Sequence, residues 1–207
     1  MATPLEGQLS QPDPEPLSVY IHRPSRTVFL LDKKGRTVHQ ESVGVGRGGV
    51  RTKTHMSDYV TPTGRFTVDL ILSEKGAFNA VAADAVQWFS DDPEYTRLLD
   101  GDGGLERLFE RMNGIDFDAD GSPDRAYGSA YIGLDSSTAV TGPKMRRFQG
   151  TAYWFSIALH GTPDAANLGA ANSGGCVHLS SSLLERLVSD GTARIGSSVE
   201  ISDDLPR

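Results

Sequence analysis

Cysteine is almost missing from this chain: there is one in 207 residues. No intramolecular disulfide can form, so packing and hydrogen bonds must hold the fold. Basic residues are also in short supply. Lys and Arg number 20 against 27 Asp and Glu, a net charge of −7, which argues against a protein whose task is to neutralise phosphates; no nucleic-acid partner is expected. Lys144, Arg146 and Arg147 form only a small basic cluster. Long apolar runs are missing too. Nothing approaches the ~18–20 residues of a membrane helix, so no membrane span is expected. Residues 1–16 are polar and rich in proline and acids, without the basic start and apolar stretch of a secretory signal. They read as a disordered or extended segment ahead of a single domain over residues 17–207.

What is present reads mainly as strand. With 38% hydrophobic residues the chain can bury one sizeable core. Ser18 to His22 and Thr27 to Asp32 are rich in β-branched and aromatic residues, with a Pro-Ser break between them. Asp32-Lys33-Lys34-Gly35 is a turn, and the returning strand starts at Arg36. Thr61-Pro62-Thr63-Gly64 is a second turn before the alternating strand Arg65 to Leu70. Further strands are expected at Ala130 to Leu134, Tyr153 to Leu159 and Ser198 to Ser202. One helix follows Ser180-Ser181-Ser182, with Leu183, Leu184, Leu187 and Val188 on one face and Gly191 placed to close it. The stretch of about 74–128 is acidic and partly helical, with Leu105, Leu108, Phe109 and Met112 at helical spacing. It reads as an insertion into the β framework, since strands resume on both sides.

The chemistry concentrates in two short runs. Trp154 to Thr162 ends a strand on His160-Gly161, and Ser173-Gly174-Gly175-Cys176-Val177-His178-Leu179 places the cysteine after two glycines and before the Ser-capped helix. A thiol attacks as thiolate, and near its ordinary pKa of ~8.5 it is mostly protonated at neutral pH. An imidazole can take that proton, and a nearby helix N-terminus would favour the anion. Uncovered backbone N–H groups at Gly174, Gly175 and Cys176 could face an oxyanion. The alternative for each residue is structural: a buried thiol, and a strand-end histidine bonded to backbone.

These residues resemble the L,D-transpeptidase (YkuD-type) catalytic domain family, whose usual signature is His-Gly-Thr, then Ser-His-Gly-Cys-Ile/Val-Arg-Leu. Thr61-Pro62-Thr63-Gly64-Arg65-Phe66 resembles the family's Thr-Pro-x-Gly-x-Phe turn, and Ser180 to Ile201 its closing helix and last strand. The resemblance covers roughly residues 17–72 and 142–202. It implies a β-sandwich-like fold of mixed sheets, with one helix after the catalytic cysteine. It also implies an extracytoplasmic enzyme that cross-links peptidoglycan stem peptides, releasing terminal D-Ala through a cysteine thioester, with no cofactor required. Carbapenems acylate such cysteines. By position Cys176 would be the nucleophile and His160 the base, with Ser173, Gly161, Gly174, Gly175 and His178 around the substrate. Two positions depart from the pattern: Gly174 replaces a histidine, and His178 replaces an arginine, a permanent bidentate cation. The rival readings are a carboxypeptidase resolving the same thioester with water, and a binding module that kept the fold without catalysis.

Other signals are separate. Gly44-Val45-Gly46-Arg47-Gly48-Gly49 matches G-x-G-x-x-G, but no helical period follows, and it reads as a flexible loop. Asp116, Asp118, Asp120 and Asp124, with Gly121 between, copy the first part of an EF-hand loop, so calcium is a candidate ligand; Tyr127 stands where the bidentate Glu belongs. A zinc site from Cys176, His160 and His178 uses suitable ligand types, but no CxxC or HxxxH accompanies them. His22, His39 and His55 read as surface or turn residues. Trp88 or Tyr131 could touch a stem peptide, as the insert region overhangs the cleft in this family.

Overall fold

The structure is a computed structural model that describes residues 16–86, 92–100, 103–135 and 144–207. In chain order the strands are β1 (Ser18–His22), β2 (Thr27–Leu31), β3 (Thr37–Ser42), β4 (Val45–Gly46), β5 (Gly64–Ser73) and β6 (Ala80–Val81). The helices α1 (Ala83–Val86), α2 (Pro93–Asp100) and α3 (Gly104–Asn113) follow. Then come β7 (Ala130–Asp135), β8 (Met145–Phe148), β9 (Thr151–Trp154), β10 (Ile157–His160), β11 (Ala171–Ser173), β12 (Val177–His178), α4 (Ser181–Ser189) and β13 (Ser198–Ser202). The large sheet runs β12-β10-β7-β5-β13-β1-β2-β3, with β6 attached to β5. Two small sheets, β4 with β11 and β8 with β9, stand beside it. The β1–β13 and β10–β12 pairs are parallel and the rest of the large sheet is antiparallel, a mixed sheet as expected.

Strand periodicity divides the core between the two faces of this sheet. Ala130, Ile132 and Leu134 of β7, Ile157 and Leu159 of β10, and Val177 point to one cluster, which Leu183, Leu184, Leu187 and Val188 of α4 cover. Tyr131 and Ala158 point the other way, to a cluster built with Leu108, Phe109 and Met112 of α3 and Tyr95, Leu98 and Leu99 of α2. In β5 the phase changes at Asp69. The register shifts between Val68 and Leu70 against β7, so Val68 and Ile71 face one cluster while Leu70 and Leu72 face the other. Asp69, left inward at this bulge, is met by Lys144, which also reaches Asp135. Arg147 pairs with Asp92 and Glu94, and Arg146 lies over the Phe155 ring. The small basic cluster is therefore committed to acids and an aromatic ring within the chain.

The acidic stretch of 74–128 leaves from β5 and returns into β7, two strands that pair with each other, so it is an insertion between sheet neighbours. Its α3 matches the expected helix. The sequence reading missed α2, although Pro93 sits at the first helical position, where its absent N–H costs nothing. Three further expectations differ. Tyr153 to Leu159 is not one strand: Phe155-Ser156 breaks it into β9 and β10, which belong to different sheets. His22 is 8% exposed, with ring contacts to Ser25 and the Asp203 carbonyl. The glycine loop is tight: a Cβ at Gly46 would stand 2.1 Å from the Tyr59 carbonyl oxygen and one at Gly48 2.2 Å from that of Asp58. No helix among the described residues is long and apolar enough to cross a membrane.

Candidate active site

The site lies at one edge of the large sheet. β10 and β12 run parallel, with Leu159 beside Val177 and His160 beside His178. Leu159 and Val177 belong to the α4-side cluster, whereas Ala158 and Cys176 belong to the other. Residues two apart on a strand share a face, so Ala158 and His160 project to the same side of β10, and Cys176, just before β12, packs against the cluster on that side. The sole thiol and the strand-end imidazole thus lie on one face at this sheet edge.

His160 is held by backbone acceptors. Its Nδ1 lies 2.6 Å from the Gly161 carbonyl, an acceptor only, which favours the proton on Nδ1, and the Ala126 carbonyl is a second acceptor for the ring. Tyr131 stacks on the ring (6.0 Å between centroids, 13° between planes), Tyr127 meets it edge-on at 5.1 Å, and His178 lies at 4.9 Å. Burial, then the neighbouring His178, pushes the His160 pKa down to about 3, so the ring is neutral at pH 7. The Gly161 carbonyl is fixed in turn. Gly161 N–H donates to the carbonyls of Tyr127 and Ala130. Gly161 and Gly128 face each other so closely that a Cβ on either would stand 2.9 or 2.8 Å from the other's Cα. Thr162 Oγ1 accepts from Asn167 Nδ2 and tethers the loop beyond.

Cys176 is presented by a turn that Ser173 organises. Ser173 Oγ donates to the Cys176 carbonyl (2.6 Å) and accepts from Gly175 N–H (3.0 Å). The Gly175 N–H is therefore committed within the turn, which corrects the expectation that it faces an oxyanion; the N–H groups of Gly174 and Cys176 are the ones left for that role. Gly175 has φ +125°, where glycine is needed. Gly174 is exposed with open space at its Cβ position, so a larger residue would fit there. The thiol donates to the Ser156 carbonyl at 3.7 Å, the oxygen made available where β9 and β10 break. Tyr131 Oη is 3.1 Å from Ser156 Oγ. Burial pushes the thiol up to about 11, against the Ala158 N–H and the charge of Lys53. The resting pair is a neutral thiol beside a neutral imidazole.

The helix contributes differently than expected. β12 intervenes between Cys176 and α4, Ser180 Oγ caps the helix by accepting from Leu183 N–H, and the apolar side of α4 packs on the opposite face of the sheet. Its N-terminus does not serve the thiol. His178 Nδ1 is buried with no hydrogen-bond partner, and Gly44 makes room for the ring, since a Cβ there would stand 3.0 Å from Nδ1. Tyr131 is 1% exposed and supports His160 rather than touching a peptide. Trp88 lies outside the described residues. Sequence reasoning missed Gly128 and the Ser156 carbonyl, and gave Tyr127, Tyr131 and Gly44 other roles than the ones they have around His160 and His178. Only the glycines could have signalled a close approach, and among 23 of them they do not stand out.

Elsewhere, oxygens of Asp116, Asp118 and Asp120 lie within 4.8 Å of one another. They already accept the N–H groups of Asp120, Gly121 and Ser122. Asp124 instead accepts from Phe117 N–H, and Tyr127 turns inward to His160. Among the described residues, Cys176, His160 and His178 do not bring three metal-ligand atoms together.

No curated relative matches the chain in sequence. Solved structures similar to it include Bdellovibrio bacteriovorus Bd1075 (15% identity, TM-score 0.46, covering 90% of this chain and 48% of that one). An L,D-transpeptidase from Xylanimonas cellulosilytica matches at 16% identity and TM-score 0.42, covering 93% and 64%. L,D-transpeptidase 3 from Mycobacterium tuberculosis, carrying a faropenem-derived adduct, matches at 16% and 0.44, covering 90% and 60%. The chain thus spans about half to two thirds of the length of these proteins. The family model for the L,D-transpeptidase catalytic domain (YkuD) matches residues 16–201. With nearly the whole chain matched, the two glycine-flanked motifs that converge on one sheet edge are those of a member of the L,D-transpeptidase catalytic-domain family.

Proposed function

We propose that the protein forms peptidoglycan cross-links as an L,D-transpeptidase, with Cys176 as nucleophile and His160 as base and acid. The observation that supports this is that the thiol and the imidazole lie on one face at the β10–β12 edge, with the imidazole Nδ1 on the Gly161 carbonyl; in the proposed reaction Nε2 is the acceptor. The thiol proton passes to Nε2 as sulfur attacks the carbonyl of the third stem-peptide residue, and His160 returns the proton to the leaving D-Ala amine as the C–N bond breaks. The amine of a second stem peptide then attacks the thioester and loses its proton through His160; the new amide forms and the thiolate leaves. The N–H groups of Gly174 and Cys176 serve the oxyanion, Ser173 and Gly175 hold the turn, and His178 lines the substrate side of the base. Side chains and backbone carry every step, with no cofactor called for. The family suggests an extracytoplasmic setting.

A neutral resting pair means that the proton moves as substrate arrives, rather than being parted beforehand. Incubation with a tetrapeptide stem should give an acyl adduct on Cys176 by mass spectrometry, and product analysis with and without an acceptor amine should show the cross-linked peptide only with acceptor. Full turnover in Cys176→Ala would overturn the assignment, and free tripeptide as the sole product would replace transfer with hydrolysis.

A further inference from the structure

A cation that no motif marks stands behind the cysteine turn. Lys53 lies between β4 and β5, and its side chain is 3% exposed. A buried ammonium needs a counter-charge and acceptors. Nζ has both, 2.9 Å from Asp58 Oδ1 and 3.0 Å from the Val60 carbonyl. Asp58, whose side chain is 1% exposed, also accepts the N–H groups of Thr54, His55 and Val60. Burial works against its carboxylate, but Lys53 and these N–H groups hold it well below the ordinary range, so the carboxylate stays ionised.

The pair reaches the cysteine through Gly175. A Cβ on that residue would stand 3.0 Å from the Val60 oxygen and 3.6 Å from Lys53 Nζ. One carbonyl, that of Val60, thus accepts from the ammonium and faces the open side of Gly175, immediately before Cys176. The other titratable groups around the sulfur are neutral at pH 7: Tyr127 and Tyr131 are pushed up by burial, and His160 and His178 are pushed down by it. Against burial, which raises the thiol most, the Ala158 N–H and then the Lys53 charge act in the opposite direction.

We propose that Lys53 is a positioning residue for the cysteine chemistry: clamped by Asp58 and Val60 behind Gly175, its ammonium steadies the turn that presents Cys176 and stabilises the charge that develops on sulfur. Lys53 exchanges no proton; it acts through its field and its two contacts. The inference rests on Cys176 being the nucleophile.

The test is the pH profile of Cys176 alkylation by iodoacetamide in the wild type, Lys53→Gln and the double variant Lys53→Met/Asp58→Asn, with folding followed by circular dichroism. Lys53→Gln keeps a donor for Asp58 and Val60, and the double variant leaves no carboxylate unpaired. Lys53→Gln should move the profile up by about one pH unit, and the double variant, which removes both charges of the pair, should move it up by less. At pH 7.5 the roughly tenfold loss of thiolate in Lys53→Gln, partly offset by higher nucleophilicity, should leave alkylation roughly 3–5-fold slower. A folded variant whose profile coincides with that of the wild type overturns the proposal. Failure of both variants to fold also overturns it, in favour of a purely structural pair. Turnover on a tetrapeptide stem separates the two levels. A shifted profile in a protein that never turns over keeps Lys53 and removes the transpeptidase reading; an unchanged profile with normal turnover removes Lys53 alone.

Discussion

The two faces of the large sheet, compared at β10 and β12, do different work with the same backbone. On one face Leu159 and Val177 join Leu183, Leu184, Leu187 and Val188 of α4 in a hydrophobic cluster. On the other, one residue out of phase, stand His160, Cys176 and His178, with Tyr127 and Tyr131 around the imidazole. A period of two separates the packed aliphatic side chains from the candidate site at this sheet edge. Burial also acts differently on the two sides. For leucine and valine it is pure gain. For the thiol and the imidazole it disfavours both charged forms, which keeps the pair neutral at rest.

The contrast can be broken most strongly on the apolar side. Leu184→Ala removes a fully buried side chain of α4 and should cost about 2–5 kcal/mol, read as a lower urea midpoint. The Cys176 alkylation rate of the folded fraction should stay the same; a large change there would mean that the faces are coupled.

Next in size is a pH effect on the chemical side. The His160 pKa lies near 3 when folded and near 6.5 when unfolded. Between these values the unfolded chain binds a proton that the folded one refuses, so stability rises with pH across the window and falls as pH drops. The slope from this ring is at most about 1.4 kcal/mol per pH unit. His160→Gln should flatten denaturation midpoints between pH 6 and 4 by up to that amount; an unchanged slope would show that the ring charges freely in the fold.

Tyr131→Phe is smaller. It removes the hydroxyl contact to Ser156 while keeping the ring against His160, and should cost about 0.5–1.5 kcal/mol in chemical denaturation. A drop in alkylation rate larger than the stability loss would show that Tyr131 also orders the Ser156 carbonyl against the thiol.

The smallest effect is expected at the exposed acidic loop. Asp118→Asn should leave the urea midpoint essentially where it is in the wild type. Calcium titration followed by calorimetry tests the ligand that the spacing suggests: with Tyr127 turned away, binding should be no tighter than about 10⁻³ M, and no heat at that concentration removes calcium.

Local chemistry made much of the molecule legible. β1, β2, β7 and β13 are short runs of β-branched and aromatic residues, α4 is an apolar stripe behind a Ser cap, and α3 has its apolar residues at helical spacing. The two motifs pointed to Cys176 and His160 through their resemblance to the signature of the family whose model matches residues 16–201. Less legible were α2 and the break at Phe155-Ser156, since a tertiary demand, not a local preference, ends β9 and starts β10 in another sheet.

What the sequence determined by itself was the candidate pair, the sole thiol and a strand-end imidazole, and the elements that carry them, because side-chain chemistry and strand period are local properties. What only the tertiary structure decided was their environment. The fold spent Gly175 N–H on Ser173, sent α4 to the far face, turned Tyr127 inward and placed the buried Lys53 behind the thiol. Those outcomes depend on which distant segments meet, and burial, field and hydrogen-bond partners exist only after they have met.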